Sequence, residues 1–351
     1  MPYRGGMAAP ASGEMPSMTS TESRVSRPGR TPGSVSTAAV VFNPVKVDLE
    51  KLRAAVASAQ SAAGWAETLW FETSKADPGG GQTRAAVAQG AGVVMAAGGD
   101  GTVRAVAEAL RGTQVPIVLL PSGTGNLLAR NLGLSLDNLP TSIGAAFTGS
   151  DRPIDLGVVE VRRLDGRRDS FVFLVMAGIG LDARMVANTS AELKARVGWL
   201  AYVDAIIRSV RDTNRLDIRY QLDGQPAKTL HAHTVLIGNC GSLPGNILLL
   251  PEAVVDDGIF DIVALRPEGL LGWAQVWVKI VWENGVLRRS QVGRKLMGTS
   301  KEIRTLRYLK GARLVMRLER PQPFELDGDG FGEAIALTVT VDPRALLVRM
   351  P

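Results

Sequence analysis

The sequence predicts an α/β plus β fold, in which an N-terminal parallel-sheet α/β domain precedes a mostly antiparallel β-sandwich domain with helical insertions. Over residues 37–150, short apolar runs alternate with helical stretches and are joined by glycine-rich turns, as in a parallel sheet covered on both faces. After Asp151, extended runs separated by Asp-Gly pairs give a hairpin signal. A length of 351 residues also suits two domains with a cleft between them.

The first domain, residues 37–150, follows a segment of residues 1–36 that is rich in Pro, Ser, Gly and Arg. This composition predicts a disordered tail. The expected strands are Ala38–Phe42, Thr68–Thr73, Val93–Ala97 and Val115–Leu120. The expected helices are Asp48–Ala63, Gln82–Gln89, Val103–Leu110 and a short helix from Leu127.

The second domain, residues 151–351, is expected to consist mainly of paired strands. The two hairpins are Ile154–Arg162 with Ser170–Ala177 around Asp165-Gly166, and Leu216–Leu222 with Thr229–Ile237 around Asp223-Gly224. Further expected strands are Ile259–Leu265, Glu302–Leu309, Arg313–Leu318, Ala334–Val341 and Leu346–Met350. Two helical insertions, Asp182–Arg211 and Leu270–Val286, interrupt them.

A turn with three glycines, Gly98–Thr102, lies between a predicted strand and a predicted helix. Glycines let the backbone approach a phosphate closely, and a helix N-terminus offers it free N–H groups and a positive dipole end. The turn is neither a G-x-G-x-x-G fingerprint nor a Walker A loop. A tight structural turn with Asp100 or Thr102 as helix cap is therefore the alternative to an anion site.

A second glycine-rich turn, Pro121–Asn126, follows the next strand and again opens a helix. Two such turns at neighbouring strand ends lie at the same edge of a parallel sheet, where ligands usually bind. Asn43 and Thr73 end two earlier strands and can lie at that edge too. The sequence therefore predicts a ligand site there.

Three motifs together resemble the diacylglycerol-kinase catalytic domain, and closely its bacterial soluble lipid-kinase branch. They are GGDGT at Gly98–Thr102, P-x-G-T-x-N at Pro121–Asn126 and LDGD at Leu326–Asp329. The likeness runs from about Thr37 to the C-terminus. It implies an ATP-dependent lipid kinase of phospholipid metabolism that uses Mg²⁺ and phosphorylates a lipid hydroxyl such as that of diacylglycerol.

The resemblance also implies which residues form the site. Asp327, from the second domain, would take the proton from the lipid hydroxyl as the γ-phosphoryl group arrives. Asp100 and Asp329 would lie next to the ligands of the catalytic metal. The implied ATP-binding residues are Asn43, Thr73, Gly98, Gly99, Asp100, Gly101, Thr102, Gly123 and Thr124. Without the resemblance, the segment Asp327–Gly330 is typical of a plain turn before a strand.

The segment Pro251–Ile259 matches a family segment that holds a structural Mg²⁺. The resemblance implies that the Asp257 carboxylate and the backbone carbonyls of Val254 and Ile259 are its ligands, a set of oxygens that hard cations prefer. An Asp-Gly hairpin turn is the alternative.

Three positions depart from the family pattern. Leu127 replaces an Asp that the family often has after P-x-G-T-x-N, Asp329 replaces a Glu, and Asn246 replaces a glycine. They bear on the metal network and on the acceptor lipid, not on the fold.

Composition alone leaves several partners open. Lys and Arg number 40 against 34 Asp and Glu, and the resulting charge of +6 favours anionic partners, whether nucleotides, nucleic acid or acidic membrane surfaces, without choosing among them. A uniformly solvated basic surface is the alternative. The lone Cys240 excludes an intrachain disulfide and a Cys-based zinc site, which fits a reducing cytoplasm. His231 and His233 lie two residues apart on a predicted strand and are interpreted as structural.

The expected partners are a lipid substrate and a membrane surface, with no nucleic acid and with a homodimer left open. No stretch of about 20 residues is continuously apolar, so peripheral association at the inner membrane face is expected rather than a spanning helix. The stretch Leu270–Val286, with Trp273 and Trp277, either docks on lipid or packs in a core.

Two other functions compete with the lipid kinase. An NAD kinase or a related small-molecule kinase shares the GGDGT turn, but an N-x-G-x-x-G-F-L type segment is expected after it, where this chain has Pro121–Asn126. The other competitor is a non-catalytic lipid- or nucleotide-binding protein, in which Asp327 is only a turn residue.

Overall fold

The computed structural model describes residues 36–180, 216–243, 247–266 and 306–351. Its first part alternates strands with helices. The strands are β1 Thr37–Phe42, β2 Leu69–Glu72, β3 Ala91–Gly98 and β4 Ile117–Pro121. The helices are α1 Leu49–Ala63, α2 Gly80–Ala88, α3 Asp100–Leu110, α4 Leu127–Asn131 and α5 Leu139–Thr148.

These four strands form a parallel sheet in the order β2-β1-β3-β4. The two central strands, β1 and β3, are almost entirely apolar and buried because both sheet faces are covered there. Helices α1 and α5 bury Val56 and Phe147 on one face, while α2 and α3 bury Ala86 and Val106 on the other. The predicted α/β architecture is confirmed.

Local sequence signals explain where the helices begin and end. Helix α1 begins after Asp48, whose carboxylate accepts the N–H of Lys51 at 3.2 Å, and it ends at Gly64, whose φ of 67° suits glycine. Helix α5 was not predicted from the sequence. Its start carries the same signal, because the side chain of Asn138 accepts the N–H of Thr141 at 3.1 Å.

The second part of the described chain is built from strands. They are β5 Ser150–Arg162, β6 Arg168–Phe173, β7 Met176–Ile179, β8 Leu216–Leu222, β9 Lys228–Ala232, β10 Thr234–Gly238, β11 Ser242–Leu243, β12 Ile247–Leu248, β13 Phe260–Leu265, β14 Leu306–Gly311, β15 Arg313–Leu326 and β16 Asp329–Met350.

Both predicted hairpins are present, since β5 pairs with β6 and β8 pairs with β9 in antiparallel fashion. At the second hairpin, Asp223 and Gly224 have φ values of 48° and 74°, which a two-residue turn of type I′ requires. Further antiparallel pairs join strands in the order β14-β13-β10-β7-β15-β16. The predicted mostly antiparallel second part is confirmed.

Strand β16 connects the two parts of the described chain. It pairs with β15 and β5 in antiparallel fashion, and near its end Val348 lies beside Ile117 of β4 in parallel. A core cluster also extends across both parts, from Leu119 of the parallel sheet to Met176 and Val263 of the β-rich part. The glycine turns and the β-rich part are thereby held in one packed unit.

Four predicted strand boundaries are wrong. The strand predicted at Arg313–Leu318 continues to Leu326 as β15. Ser170–Ala177 is two strands, β6 and β7, with a break at Leu174-Val175. Thr229–Ile237 is also two strands, parted at His233, whose N–H donates to the carbonyl of Leu265. The two strands predicted over residues 334–350 are one strand, β16, with an irregularity between Asp342 and Leu346 in its pairing to β5.

Several predictions lie outside the described residues. These are the tail up to residue 35, the helical insertions Asp182–Arg211 and Leu270–Val286 with Trp273 and Trp277, the first part of the strand Glu302–Leu309, and Asn246. Within the four described ranges, the helices are too short or too polar to cross a bilayer.

Candidate functional site

The four strand ends that the sequence placed at one edge do meet there. The N–H of Asn43 donates to Ala97 at 2.9 Å, the N–H of Thr73 donates to Phe42 at 2.9 Å, and the N–H of Ser122 donates to Gly98 at 3.2 Å. These bonds carry the parallel register past the ends of the strands, so that both glycine turns start from the same edge.

The two glycine turns pack directly on each other. A Cβ on Gly123 would lie 2.8 Å from the Cα of Gly99, and a Cβ on Gly98 would lie 2.6 Å from the Oγ1 of Thr102. Neither Gly98, Gly99 nor Gly123 has a positive φ. Close packing, rather than turn conformation, therefore favours glycine here: against the backbone of Gly99 at Gly123, and against the side chains of Thr102 and Lys46 at Gly98 and Gly99.

Asp100 locks the second turn to the first. One carboxylate oxygen accepts the N–H of Asn126 at 3.0 Å and the other accepts the N–H of Leu127 at 2.6 Å, at the start of α4. The side chain of Asn126 in turn bonds both the N–H and the carbonyl of Gly123. Burial raises the pKa of Asp100, against the lowering effect of these two backbone N–H groups.

A basic side chain that was not predicted lies against the first turn. The Nζ of Lys46 lies 2.5 Å from the position that a Cβ would take on Gly99. Lys46 is placed by a tight turn after β1, in which its N–H donates to the carbonyl of Asn43 and the N–H of Val45 donates to the Asn43 side chain. A lysine three residues after a polar strand end was the signal available in the sequence.

These features suit an anion. The first-turn N–H groups of α3 have no acceptor within the helix, and Lys46 adds a cation beside them. Thr124, another predicted nucleotide contact, is exposed, whereas Thr73 is buried at the sheet edge. The glycine cradle that a Cβ would fill and the adjacent ammonium fit the phosphates of a nucleotide.

Asp327 lies in a two-residue hairpin turn between β15 and β16. Asp327 and Gly328 have φ values of 50° and 86°, and Leu326 pairs with Asp329 across the turn. The side chain is buried, with 6% of the residue exposed. The turn predicted as the plain alternative is therefore present, but its Asp points inward rather than to solvent.

Backbone N–H groups hold the Asp327 carboxylate. Oδ1 accepts from Val175 at 2.8 Å and Met176 at 3.1 Å, while Oδ2 accepts from Leu174 at 3.0 Å. These donors come from the break between β6 and β7, which explains why the predicted strand Ser170–Ala177 is interrupted. Burial raises the pKa of Asp327, and the opposing influences are Arg104 first and then the three N–H groups.

The Asp327 turn packs on the first glycine turn. The Oδ2 of Asp329 lies 3.2 Å from the position that a Cβ would take on Gly101. Arg104 of α3 reaches across, with one nitrogen 2.8 Å from Asp329 Oδ2 and another 2.8 Å from the carbonyl of Leu326. The structure thus brings the predicted residues Gly98–Thr102 and Asp327–Asp329 together.

The three carboxylates near the glycine turn are already engaged in the chain's own contacts. Asp100 and Asp327 accept backbone N–H groups, and Asp329 pairs with Arg104. In the described ranges, Asp, Glu, His and Cys side chains form no group of three suited to a metal. Asp329, whose side chain is half exposed, fits contact with a magnesium ion that arrives on nucleotide phosphates with its own water ligands.

The segment of the predicted structural cation forms a turn before β13. The Oδ1 of Asp257 accepts the N–H of Ile259 at 3.2 Å, as in the Asp-Gly turn alternative. Positive charge nearby comes from Lys310, whose Nζ lies 3.0 Å from Glu252 and 3.1 Å from Asp261. Cation binding by Val254, Asp257 and Ile259 stays a prediction.

The remaining polar candidates make contacts of their own. His231 is hydrogen-bonded to Asp217 of the neighbouring strand. Cys240 is buried, and burial first and the charge of Asp327 second raise the pKa of its thiol. A protonated thiol is a poor nucleophile, so Cys240 has a packing role.

Comparison with protein families gives two matches that together cover most of the chain. The diacylglycerol kinase catalytic domain matches residues 37–159. The YegS C-terminal NAD kinase beta sandwich-like domain matches residues 175–350.

Individual relatives agree with these matches. A "probable lipid kinase YegS-like" protein of Pseudomonas fluorescens is 36% identical over 231 residues, which are 64% of this chain and 71% of the relative. A diacylglycerol kinase of Mycobacterium tuberculosis is 32% identical over 184 residues, which are 52% of this chain and 58% of the relative. Against a YegS-like protein of Pseudomonas putida, the chain spans 60% of the relative's length at 34% identity.

Solved structures share the fold. The crystal structure of a diacylglycerol kinase from Bacillus anthracis covers 92% of this chain and 98% of its own, with a TM-score of 0.61 at 16% identity. Another structure from the same organism has a TM-score of 0.66 at 20% identity.

Proposed function

We propose that this chain, which belongs to the bacterial lipid kinase family defined by the diacylglycerol kinase catalytic domain and the YegS-type sandwich, is an ATP-dependent kinase of a lipid hydroxyl. The observation that carries the proposal is the contact between the Asp327–Asp329 turn and the glycine turn that begins α3. It puts a carboxylate-bearing hairpin beside an anion cradle, as phosphoryl transfer requires.

The nucleotide phosphates are proposed to lie on the first glycine turn. The N–H groups at the start of α3 and the Lys46 ammonium supply positive potential to them, and Asn43, Thr73 and Thr124 border the same edge. Magnesium would arrive with ATP and neutralise phosphate charge during transfer. Asp100 orders the cradle by fixing the second glycine turn.

Asp327 is proposed as the general base. Its Oδ1 accepts two short N–H bonds, whereas its Oδ2 accepts one short bond and has a further lone pair with which to take a proton. The acceptor hydroxyl would lose its proton to Oδ2 while its oxygen bonds to the γ-phosphorus and ADP leaves. Burial raises the pKa of Asp327, which brings it closer to the range in which a base works best.

The proposed acceptor is a membrane lipid, with diacylglycerol as the first candidate because a relative in Mycobacterium tuberculosis is named a diacylglycerol kinase. A net charge of +6 favours peripheral association with an anionic membrane surface. We therefore propose that the protein associates with the inner face of the cytoplasmic membrane. Nucleic acid is not among the proposed partners. A homodimer is the alternative to a monomer.

A nicotinamide dinucleotide is the second candidate acceptor. The sandwich family that matches residues 175–350 is described as NAD kinase-like, which is the observation that favours it. The segment Pro121–Asn126, with its P-x-G-T-x-N pattern, favours lipid instead.

The test incubates the protein with labelled ATP and Mg²⁺, together with a total lipid extract in one series and NAD in another. Labelled lipid is the expected product, whereas labelled NADP with no labelled lipid would contradict the proposal. Asp327→Asn should lower the rate of lipid phosphorylation by about 10²-fold or more, because an amide cannot take the proton. Calorimetry should show nearly unchanged affinity for Mg-ATP.

Asp223→Asn is the matched control. Asp223 also begins an Asp-Gly turn with two left-handed residues, and its carboxylate accepts the N–H groups of Ala312 and Arg313 at 3.0 and 2.8 Å. It lies at the β8–β9 hairpin, away from the glycine turns. Equal rates for the Asp327→Asn and Asp223→Asn proteins would remove the general base assignment.

A further inference from the structure

Arg104, the fifth residue of α3, connects the two halves of the candidate site. Its side chain is 12% exposed, although arginine side chains usually reach into solvent. One nitrogen donates to the carbonyl of Leu326, and another donates to the carboxylate of Asp329, both at 2.8 Å. These two acceptors lie on either side of Asp327, which is the residue that the proposed chemistry uses.

The aromatic ring of Phe331 completes the contact. The guanidinium carbon of Arg104 lies 4.7 Å from the centroid of that ring, within the range of a cation–π interaction. Arginine suits this place because its planar fork can bond two acceptors and stack on a ring at the same time, which the single ammonium of lysine cannot do.

The contact joins residues that are far apart in sequence but adjacent in space. Arg104 is two residues beyond the glycine turn, while Leu326 is 222 residues further along the chain. The helix that carries the proposed phosphate cradle therefore carries the clamp on the base-bearing turn as well. Any shift of α3 relative to the sandwich would move the Asp327 turn through this side chain.

We propose that Arg104 is a positioning residue that holds the Asp327 turn at a fixed distance from the phosphate cradle. This inference rests on the proposed kinase function for its catalytic consequence, but its structural part does not. With Arg104 in place, the Leu326 carbonyl and the Asp329 carboxylate are fixed, so the Asp327 carboxylate stays seated on the N–H groups of residues 174–176. Without it, the turn keeps its strand pairing, those N–H bonds and the bond from its own Asp327 N–H to the carbonyl of Met176, but it loses the link to α3 that Arg104 provides.

Arg111 provides a matched control on the same helix. It caps the C-terminal end of α3 and pairs with Asp342 at 2.5 Å, so that it also links α3 to β16 through an ion pair. Its partner is far along β16 from the Asp327 turn. Arg104→Met and Arg111→Met thus each remove an ion pair between α3 and β16. Only Arg104 also bonds the Leu326 carbonyl of β15, and only Arg104 lies at the site.

The first measurement is amide hydrogen exchange, which needs no substrate. Arg104→Met should raise the exchange rates of the Leu174, Val175 and Met176 amides by about tenfold, because they are protected by the Asp327 carboxylate. Arg111→Met should leave those rates within about twofold of wild type. The amides of Ala312 and Arg313, which are bonded to Asp223, serve as an internal reference in both proteins.

The second measurement is the kinetics of lipid phosphorylation with wild type, Arg104→Met, Arg104→Lys and Arg111→Met. Arg104→Met should lower kcat by about tenfold or more while the KM for ATP changes by less than about threefold, the pattern of a misplaced base rather than a lost binding contact. The kcat of the Arg104→Lys protein should be higher than that of Arg104→Met, because lysine keeps the positive charge and one of the two hydrogen bonds.

The outcomes separate the two ideas. Equal exchange in the Arg104→Met and Arg111→Met proteins would overturn the positioning role, whatever the kinetics show. Changed exchange with wild-type kcat would overturn its catalytic consequence. If wild type transfers no phosphate to lipid, the proposed function fails, while the exchange comparison still decides whether Arg104 seats the Asp327 turn.

Discussion

At the scale of single residues, two cationic side chains, Lys46 and Arg104, lie at the first glycine turn. Lys46 lies over Gly99 from the turn after β1, and Arg104 reaches away from the same helix start to the Asp327 turn. Their proposed roles differ, because Lys46 lies at the place proposed for phosphate and Arg104 bonds the carboxylate of Asp329. Removing one or the other should therefore have different effects.

Lys46→Met should weaken the binding of Mg-ATP by about tenfold or more, since a charge-assisted bond to phosphate is lost. Isothermal titration calorimetry measures this directly. Lys51→Met is the control, because Lys51 is an exposed lysine of α1 that pairs with the helix cap Asp48. Affinity that is the same in both variants would place the phosphates away from Gly99.

Sequence reasoning identified the residues whose backbone or carboxylate matters and missed those that act through long side chains. Gly98, Gly99 and Gly101 were predictable because glycines between a strand and a helix are a local signal, and Asp327 came from a resemblance. Lys46 follows the strand end at Asn43 by three residues, but neither that spacing nor the position of Arg104 shows what these side chains contact, because their partners lie far along the chain. The inward orientation of Asp327 was hidden for the same reason.

At the scale of elements, the two glycine turns form one unit. Gly123 sits on Gly99, Asp100 bonds the start of α4, and Asn126, in a left-handed conformation with φ 49°, bonds Gly123 on both sides. A change in the second turn should therefore shift the backbone of the first turn, even if the second turn does not contact a nucleotide.

Gly123→Ala tests this coupling. The added methyl group would lie 2.8 Å from the Cα of Gly99, and because the obstacle is backbone the turns must separate. Overpacking of this kind costs about 1–3 kcal/mol of stability, and Mg-ATP affinity should fall as well. Gly144→Ala in α5 is the control, because no atom lies near its added Cβ and alanine favours a helix. A stable Gly123→Ala protein with wild-type affinity would contradict the coupling.

Periodicity located elements better than it located their ends. All eight predicted elements of the α/β part exist, because each contains an apolar run or stripe and most have a glycine, Asp or Asn near one boundary. Strand breaks were missed where long-range bonds cause them, as at Leu174-Val175, where backbone N–H groups turn toward Asp327. Helix α5 was missed although Asn138 marked its start.

At the scale of the whole molecule, Asp155 is a buried junction between distant segments. It is 1% exposed, and its carboxylate accepts the N–H of Gly258 at 2.7 Å and that of Arg344 at 2.8 Å. Its own N–H donates to Val255, and its carbonyl accepts from the side chain of Asn239. Four segments far apart in sequence therefore meet at one residue of β5.

Asp155→Asn should lower the free energy of unfolding by about 1–3 kcal/mol, because the amide nitrogen faces a backbone donor and leaves it unsatisfied. Urea unfolding followed by circular dichroism measures the change. Asp256→Asn removes a more exposed pair with Arg152 and should cost less than about 1 kcal/mol. Equal losses would mean that the Asp155 junction adds nothing beyond a surface pair.

The sharing of β16 between both parts of the molecule also has a consequence for how the chain reaches this structure. Strand β4 pairs with β3 on one side. On its other side, Ile117 pairs with Val348 of β16, which is synthesised long after Ile117. Until then, the row of N–H and C=O groups on that side of β4 is open to any extended strand nearby. A contact so distant in sequence forms slowly. A nascent chain thus keeps this edge of β4 unpaired from the synthesis of Ile117 until Val348 has been added.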